Sequence, residues 1–204
     1  MQLIVTTFIS VDGVYQGPGG PDEDRSGGFD RGGWLVPHFD EATGNFMDEV
    51  FQDVDAFLLG RRTYDIFAAS WPNATDPNDP VAKSLNTLPK YVASSTLTNP
   101  QWNNTTVLDG DLASAVQGLK ERDGRELQVH GSGRLVQFLL ANDLVDRLNL
   151  LVFPVIVGGG RRLFPDSGIA NGLTLDESRT TPSGVVILVY RPTGRPEFGS
   201  VEVT

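Results

Sequence analysis

The chain has 204 residues, 39% hydrophobic and 21% charged, an ordinary globular composition that fits one domain spanning 1–204. With 16 Lys and Arg against 26 Asp and Glu, its formal charge of −10 argues against nucleic acid or an anionic membrane as partner. The absence of cysteine excludes disulfides, thiolate nucleophiles and cysteine-ligated metals, and two isolated histidines, His38 and His130, argue against a zinc site.

Residues 3–9, rich in β-branched side chains, are expected to form a first core strand. The opening MQLIVTTFIS has no basic region and too short an apolar run for a signal peptide or membrane span, which points to a cytoplasmic protein. A glycine- and acid-rich loop follows over 17–33. In it Asp22, Glu23 and Asp24 read as a solvated surface, and Trp34 and Leu35 as pins returning the far end to the body. The spacing of Phe46, Met47, Val50 and Phe51 predicts an amphipathic helix over 40–52, with Asp48 and Glu49 as its obvious carboxylates. A buried strand over 56–59 runs into Gly60-Arg61-Arg62-Thr63-Tyr64 and a helix reaching Phe67. The turn-rich stretch 70–79 belongs on the surface. A short helix over 81–86 is followed by a strand, 90–93, ending in Ser94-Ser95-Thr96. Residues 105–108 read as another strand, and Asp111 as the cap of a helix to about Arg122.

The most informative stretch is 129–164. Leu127 and Val129 lead into Gly131-Ser132-Gly133, and Leu135, Val136, Phe138, Leu139 and Leu140 give the next helix its apolar stripe. Asn142-Asp143 ends that helix. Residues 148–157 read as one buried strand, finishing in Gly158-Gly159-Gly160 with Arg161 and Arg162 behind. Neither glycine cluster has the third glycine of a dinucleotide fingerprint, which disfavours an ordinary Rossmann dehydrogenase. Strands over 173–178 and 185–190 close the chain. The pattern predicts an α/β fold with a mostly parallel central sheet and antiparallel C-terminal edge strands.

Three predicted strand ends carry groups suited to an anion: the turn at 60–63, the hydroxyls at 94–96 and the turn at 131–134. Each alone is explained equally well as a tight turn or a cap. In a parallel sheet they share one edge, where ligands bind, and five arginines (Arg61, Arg62, Arg134, Arg161 and Arg162) flank glycine turns. Residue chemistry therefore points to a nucleotide-type site without naming a reaction.

At these residues the chain resembles the dihydrofolate reductase-like superfamily. It is most similar to the branch holding the C-terminal reductase domain of the riboflavin-biosynthesis bifunctional deaminase-reductase. The likeness rests on Leu58-Leu59-Gly60-Arg61-Arg62-Thr63-Tyr64, on Leu88-Pro89-Lys90-Tyr91-Val92-Ala93-Ser94-Ser95-Thr96-Leu97 and on Val129-His130-Gly131-Ser132-Gly133. It continues in Leu144-Val145-Asp146-Arg147-Leu148 and in Pro154-Val155-Ile156-Val157-Gly158-Gly159-Gly160-Arg161-Arg162-Leu163-Phe164. The resemblance implies a three-layer α/β/α fold, NADPH as cofactor, a homodimer and a mobile loop over 11–20 that closes on nicotinamide. It also places Gly60, Arg61, Arg62 and Thr63 at the cofactor phosphates, Ser94, Ser95 and Thr96 beside the adenosine ribose phosphate, and Gly131, Ser132, Gly133, Arg134 and Leu135 at the pyrophosphate. An apolar strand such as 185–190 would suit a dimer.

One departure stands out. The carboxylate that dihydrofolate reductases carry early in the first helix falls here near Gly44, so Asp48, one turn later, becomes the candidate proton donor, with Asp40 behind it. Trp34, Asp48, Phe51 and Arg161 are the candidate substrate contacts, Arg161 and Arg162 meeting either a substrate phosphate or solvent. The expected activity is hydride transfer from NADPH to a pyrimidine- or pterin-like heterocycle, such as one resembling 5-amino-6-(5-phosphoribosylamino)uracil, or to a carbonyl substrate. The alternative is a non-catalytic nucleotide-binding protein with the same fold. A metal-dependent hydrolase would need an acidic metal cluster, and the acids are scattered.

Overall fold

A computed structural model describes residues 1–74, 76 and 79–201. The strands are β1 (Gln2–Ser10), β2 (Val54–Gly60), β3 (Lys90–Ala93), β4 (Thr105–Leu108), β5 (Glu126–His130), β6 (Arg147–Phe153), β7 (Leu173–Thr180) and β8 (Val186–Pro192). They form one sheet in the order β4-β3-β2-β5-β1-β6-β8-β7. Every pairing from β4 to β6 is parallel, and only β6–β8 and β8–β7 are antiparallel. The expected mostly parallel sheet with an antiparallel edge is what the chain builds.

The helices are α1 (Glu41–Gln52), α2 (Arg61–Ser70), α3 (Pro80–Thr87), α4 (Leu112–Lys120) and α5 (Gly133–Ala141). The stripe on α1, Phe46, Met47, Val50 and Phe51, joins Tyr64 of α2 and Leu85 of α3 in a core on one sheet face. Val116 and Leu119 of α4 and Leu135, Val136 and Leu139 of α5 build the core on the other face. The result is three layers, with helix periodicity setting which side chains enter each core.

One expectation fails. The strand read over 148–157 stops at Phe153, because Pro154 has no N–H to continue the ladder. Val155 then donates back to the Phe153 carbonyl at 2.7 Å, and Ile156 is 74% exposed. The apolar strand 185–190, which would suit a dimer, has one face inside the fold. β8 lies between β6 and β7, and Val185, Ile187 and Val189 are buried inside the chain. The exposed edge belongs to β7 instead. In the surface stretch 70–79, Trp71–Asn73 form a short 3-10 turn, while Thr75, Pro77 and Asn78 lie outside the described residues.

Lys90, at the start of β3, is fully buried. Its ammonium lies 4.6 Å from the Trp102 ring centroid and donates to the carbonyls of Leu85 and Leu88 at 2.7 and 2.9 Å, closing the end of α3. A neutral amine has two N–H groups, enough for both carbonyls. Burial pushes its pKa down from 10.5 to about 8. The unfolded chain therefore holds this proton more tightly, and folding stability should rise as pH climbs from about 8 to 10.5. Denaturant midpoints across that window should show a gain on the order of 2 kcal/mol in the wild type that is missing in Lys90→Met.

Candidate functional site

The carboxyl ends of β3, β2 and β5 lie side by side, since these strands are neighbours and run the same way. The groups at 60–63, 94–96 and 131–134 therefore share one sheet edge, as the sequence predicts. Along that edge opens a cavity of about 1150 Å³, lined from both glycine turns, from α1 and from the loop after β1.

Two hydrogen bonds lock the turns together. The Gly60 N–H donates to Ser132 Oγ at 3.0 Å, and the Ser132 N–H donates to Thr63 Oγ1 at 3.2 Å. Ser132 Oγ in turn donates a hydrogen bond to the His130 carbonyl at 3.0 Å. This needs a left-handed backbone at Gly131 and Ser132, φ 55° and 54°, a conformation that glycine adopts without strain. Gly133 must also lack a Cβ, which would lie 2.5 Å from the Tyr15 ring. The Ser132 hydroxyl is thus occupied as acceptor and donor in joining the turns, while the Thr63 hydroxyl only accepts there, so the turns offer a ligand backbone N–H and the Thr63 O–H.

That offer is selective. Helices α1, α3 and α4 each begin at an aspartate whose carboxylate takes first-turn N–H bonds: Asp40 from Thr43, Asp79 from Val81 and Ala82, Asp111 from Ala113. Helices α2 and α5, which begin at the cavity, have Gly60 and Ser132 there and no side-chain cap. Their leading N–H groups and positive dipole ends remain available to an anion at the cavity.

The arginines divide into distinct roles. Arg61 Nε donates to both carboxylate oxygens of Asp65, and its Nη1 lies 3.5 Å from Thr96 Oγ1. Ser94 Oγ accepts from the N–H groups of Thr96 and Leu97, so it caps a turn, while Ser95 and Thr96 are exposed. Arg134 is exposed and has no ion-pair partner among the described residues. Arg62 and Arg161 converge on Asp24 and Ser26. Arg162 donates to the Asp12 carbonyl at 2.8 Å and braces the loop from outside the cavity.

The acidic loop segment is only in part the solvated surface its composition suggested: the Asp22 side chain is exposed, whereas Asp24 is not. The Asp24 side chain is 8% exposed and pairs with two guanidiniums. Burial raises its pKa, but bonds from Ser26 and the charges of Arg161 and Arg62 outweigh that and lower it. Glu23 faces the cavity, and burial lifts its pKa despite N–H bonds from Gly19 and Gly20. Asp12, unremarked in the sequence, accepts from Val157 N and Gly158 N, both at 2.9 Å. Burial opposes its ionisation, yet these bonds and the Ser10 hydroxyl bring its pKa to about 2. The glycines at 158–160 make room for the loop: a Cβ at Gly160 would meet the Phe29 ring at 2.8 Å. Trp34 and Leu35 pin the loop as expected, with Trp34 Nε1 donating to the Gln16 carbonyl at 2.8 Å.

Several site assignments need correction. Asp48 lies on the exposed face of α1, whereas Met47 and Phe51 of the same helix line the cavity, so Asp48 is not placed to protonate a ligand there. Asp40 is a cap that also accepts from Ser183 N at 3.0 Å, and those bonds, against desolvation, hold its carboxyl well below the usual range. Trp34 is buried behind the wall against Phe153 and does not line the cavity. Phe51 and Arg161 do line it. The sequence reading missed His130, buried in the wall and stacked on Phe51 with centroids 5.1 Å apart. Its position just before Gly131 was the available signal. Among the described residues no group of acids and histidines is arranged to hold a metal, and no helix is long and apolar enough to cross a membrane.

Fold and cavity define an α/β protein with a pocket at the carboxyl edge of a parallel sheet, where two helices begin without a side-chain cap. The chain belongs to the RibD C-terminal domain family, whose model matches residues 1–187. The protein YyaP of Bacillus subtilis (strain 168) is 26% identical over 195 residues, 95% of this chain and 96% of that one. A putative riboflavin biosynthesis protein from Shewanella sp. PV-4 has the same fold, with a TM-score of 0.68 at 24% identity over 95% of this chain and 99% of that one. A diaminohydroxyphosphoribosylaminopyrimidine deaminase/5-amino-6-(5-phosphoribosylamino)uracil reductase from Thermotoga maritima matches with a TM-score of 0.61 at 15% identity. That match covers 94% of this chain and 56% of the Thermotoga chain.

The paired arginines make the loop's attachment testable. Asp24→Asn keeps the shape of the side chain but cannot neutralise Arg62 and Arg161. Trypsin should then cut after Arg25 and Arg31 several-fold faster than in the wild type, read by mass spectrometry. An unchanged rate would mean that the loop is held by Trp34 and the Asp12 bonds alone.

Proposed function

We propose that the protein is an NADPH-dependent reductase acting on a flat heterocycle of pyrimidine or pterin type. The observation that carries this reading is the pair of uncapped helix starts at one cavity, beside Arg61, Arg62 and Arg134. Where the other helices bring their own carboxylate, these two leave N–H donors for a ligand's phosphates. The pocket has the size for an extended nucleotide together with a second small molecule, being at the upper end of common ligand sites. Family membership and the reductase naming of the Thermotoga neighbour agree with this reading.

The residues fit the cofactor in the following way. The N–H groups opening α5, with Gly131, Ser132, Gly133, Arg134 and Leu135 around them, suit the pyrophosphate. Gly60, Arg61, Arg62 and Thr63 suit a 2′-phosphate; Ser94, Ser95 and Thr96 follow Ala93 at the end of β3 but do not themselves line the cavity, so they would meet the ribose only from beyond its wall. NADPH, when bound, supplies the hydride. The protein's share is to position the two molecules and keep water away. Phe8, Phe39, Met47 and Phe51 give the inner end an apolar wall for a planar ring. The loop closes the pocket from above through Tyr15 and Glu23. Glu23 is the loop carboxyl that lines the cavity, its pKa raised by burial.

Fluorescence titration with NADPH and NADH tests the proposal. Arg61→Ala should weaken NADPH about tenfold or more and spare NADH, since a charge-assisted contact is worth about 1.5–3 kcal/mol. Arg61 is chosen because Arg62 also holds the loop. If neither cofactor binds at millimolar concentration, the reductase reading fails. Selective NADPH binding without oxidation by any heterocycle would favour the non-catalytic nucleotide-binding alternative.

A further inference from the structure

The central strand β5 carries a polar face that the cofactor reading leaves unused. Glu126, Gln128 and His130 alternate with Leu127 and Val129, so their side chains share the sheet face under α1. All three are buried. Arg147 on β6 pairs with Glu126, and its side chain reaches partly into solvent. Glu126 Oε2 accepts from Gln128 Nε2 at 2.8 Å, and the Val50 carbonyl accepts from the same nitrogen at 2.5 Å. Gln128 Oε1 then lies 3.0 Å from His130 Nε2.

The chain of bonds fixes each hydrogen. A carboxylate and a carbonyl can only accept, so the atom of Gln128 that faces both must be its NH2 group. Gln128 Oε1 is consequently the acceptor, and His130 Nε2 must carry a hydrogen to donate to it. Burial pushes the His130 pKa down to about 4, so the ring is neutral above that and its hydrogen sits on Nε2. Nδ1 is left with a bare lone pair. It has no hydrogen-bond partner among the described residues, and it is not among the side-chain atoms sealed from solvent without one. His130 is among the residues that line the cavity, and Nδ1 is the ring nitrogen that the chain of bonds leaves unused.

We propose that His130 is a specificity-determining residue, whose Nδ1 receives a hydrogen bond from an N–H, amine or hydroxyl of the flat molecule in the cavity. Gln128 and Glu126 are positioning residues that fix the tautomer through Nε2. The inference rests on the reductase reading for the kind of molecule, and adds which edge of it the protein reads. A ring that presents only acceptors or methyl groups to His130 leaves the lone pair unpaired and is selected against. Phe51, stacked on the imidazole, holds its plane, so a ligand cannot be accommodated by turning the ring.

The chain has two histidines, so long-range proton–nitrogen spectra of the ¹⁵N-labelled full chain resolve both rings. In the free protein His130 should show a protonated Nε2 and a bare Nδ1. Uracil, cytosine and pterin, added with NADPH present, are then compared with their N-methylated counterparts. The donor-bearing molecules should move the Nδ1 resonance toward the hydrogen-bonded range, and the methylated ones should not. His130→Leu should cost the donor-bearing probes about fivefold to tenfold in affinity without affecting the methylated ones, and His130→Gln should restore most of it. Gln128→Leu, which leaves the His130 ring in place, should produce mixed tautomers and lower the same preference. A purely structural histidine would weaken both probe sets alike. That result, binding without an Nδ1 shift, or failure of all three donor-bearing probes to bind overturns the proposal. If Arg61-dependent NADPH binding persists, only the His130 inference falls. If NADPH binding is absent but Nδ1 still responds, the reductase reading falls.

Discussion

The two hydrogen bonds between the β2 and β5 turns are what the site depends on. They join residues 69 and 72 positions apart in sequence, and they do so through hydroxyls and amides that a ligand might otherwise claim. With the turns locked, α2 and α5 start side by side at one edge, on opposite faces of the sheet. Their N–H groups then converge on one volume without any side chain having to reach for it. Rigid elements hold such donors more accurately than loops do.

The opposite wall is built by different means. It is a loop, and it obtains order from buried carboxylates: Asp12 against the amides of Val157 and Gly158, Asp24 against Arg62 and Arg161. The glycine triplet at 158–160 forms the bed for this loop and does not itself touch the cavity. A chain of net charge −10 thereby gathers positive groups at one mouth. Arg62 and Arg161 there are already engaged by Asp24 and Arg61 by Asp65, whereas Arg134 is exposed with no ion-pair partner among the described residues.

Much of the fold was legible in the sequence, for a physical reason. Helix and strand periodicity is local, and the stripe on α1 or the β-branched run of β1 states which side is buried before any partner is known. Strand ends carrying glycine and hydroxyls indicated the edge along which the cavity opens. What was not legible depended on pairings across distance. Asp24 looks solvated until Arg161, 137 residues later, is placed against it. Asp48 and Met47 are adjacent in sequence, and only the helix's rotation decides which one the cavity sees. The strand read through Pro154 ran too far because apolar continuity was given more weight than a missing N–H.

The polar face of β5 also bears on how the sheet finds its pairing. Strand β5 lies between β2 and β1, where a slip by one residue would exchange its two faces. Leu127 and Val129 would then confront the Val50 carbonyl and Arg147, while Glu126 and Gln128 would enter the apolar layer under α4 and α5 with nothing to bond. The misregistered sheet is therefore penalised by the same side chains that aim the imidazole. Replacing them with well-packed hydrophobics would remove that penalty, so a stability gain there could come with a loss of uniqueness in the fold.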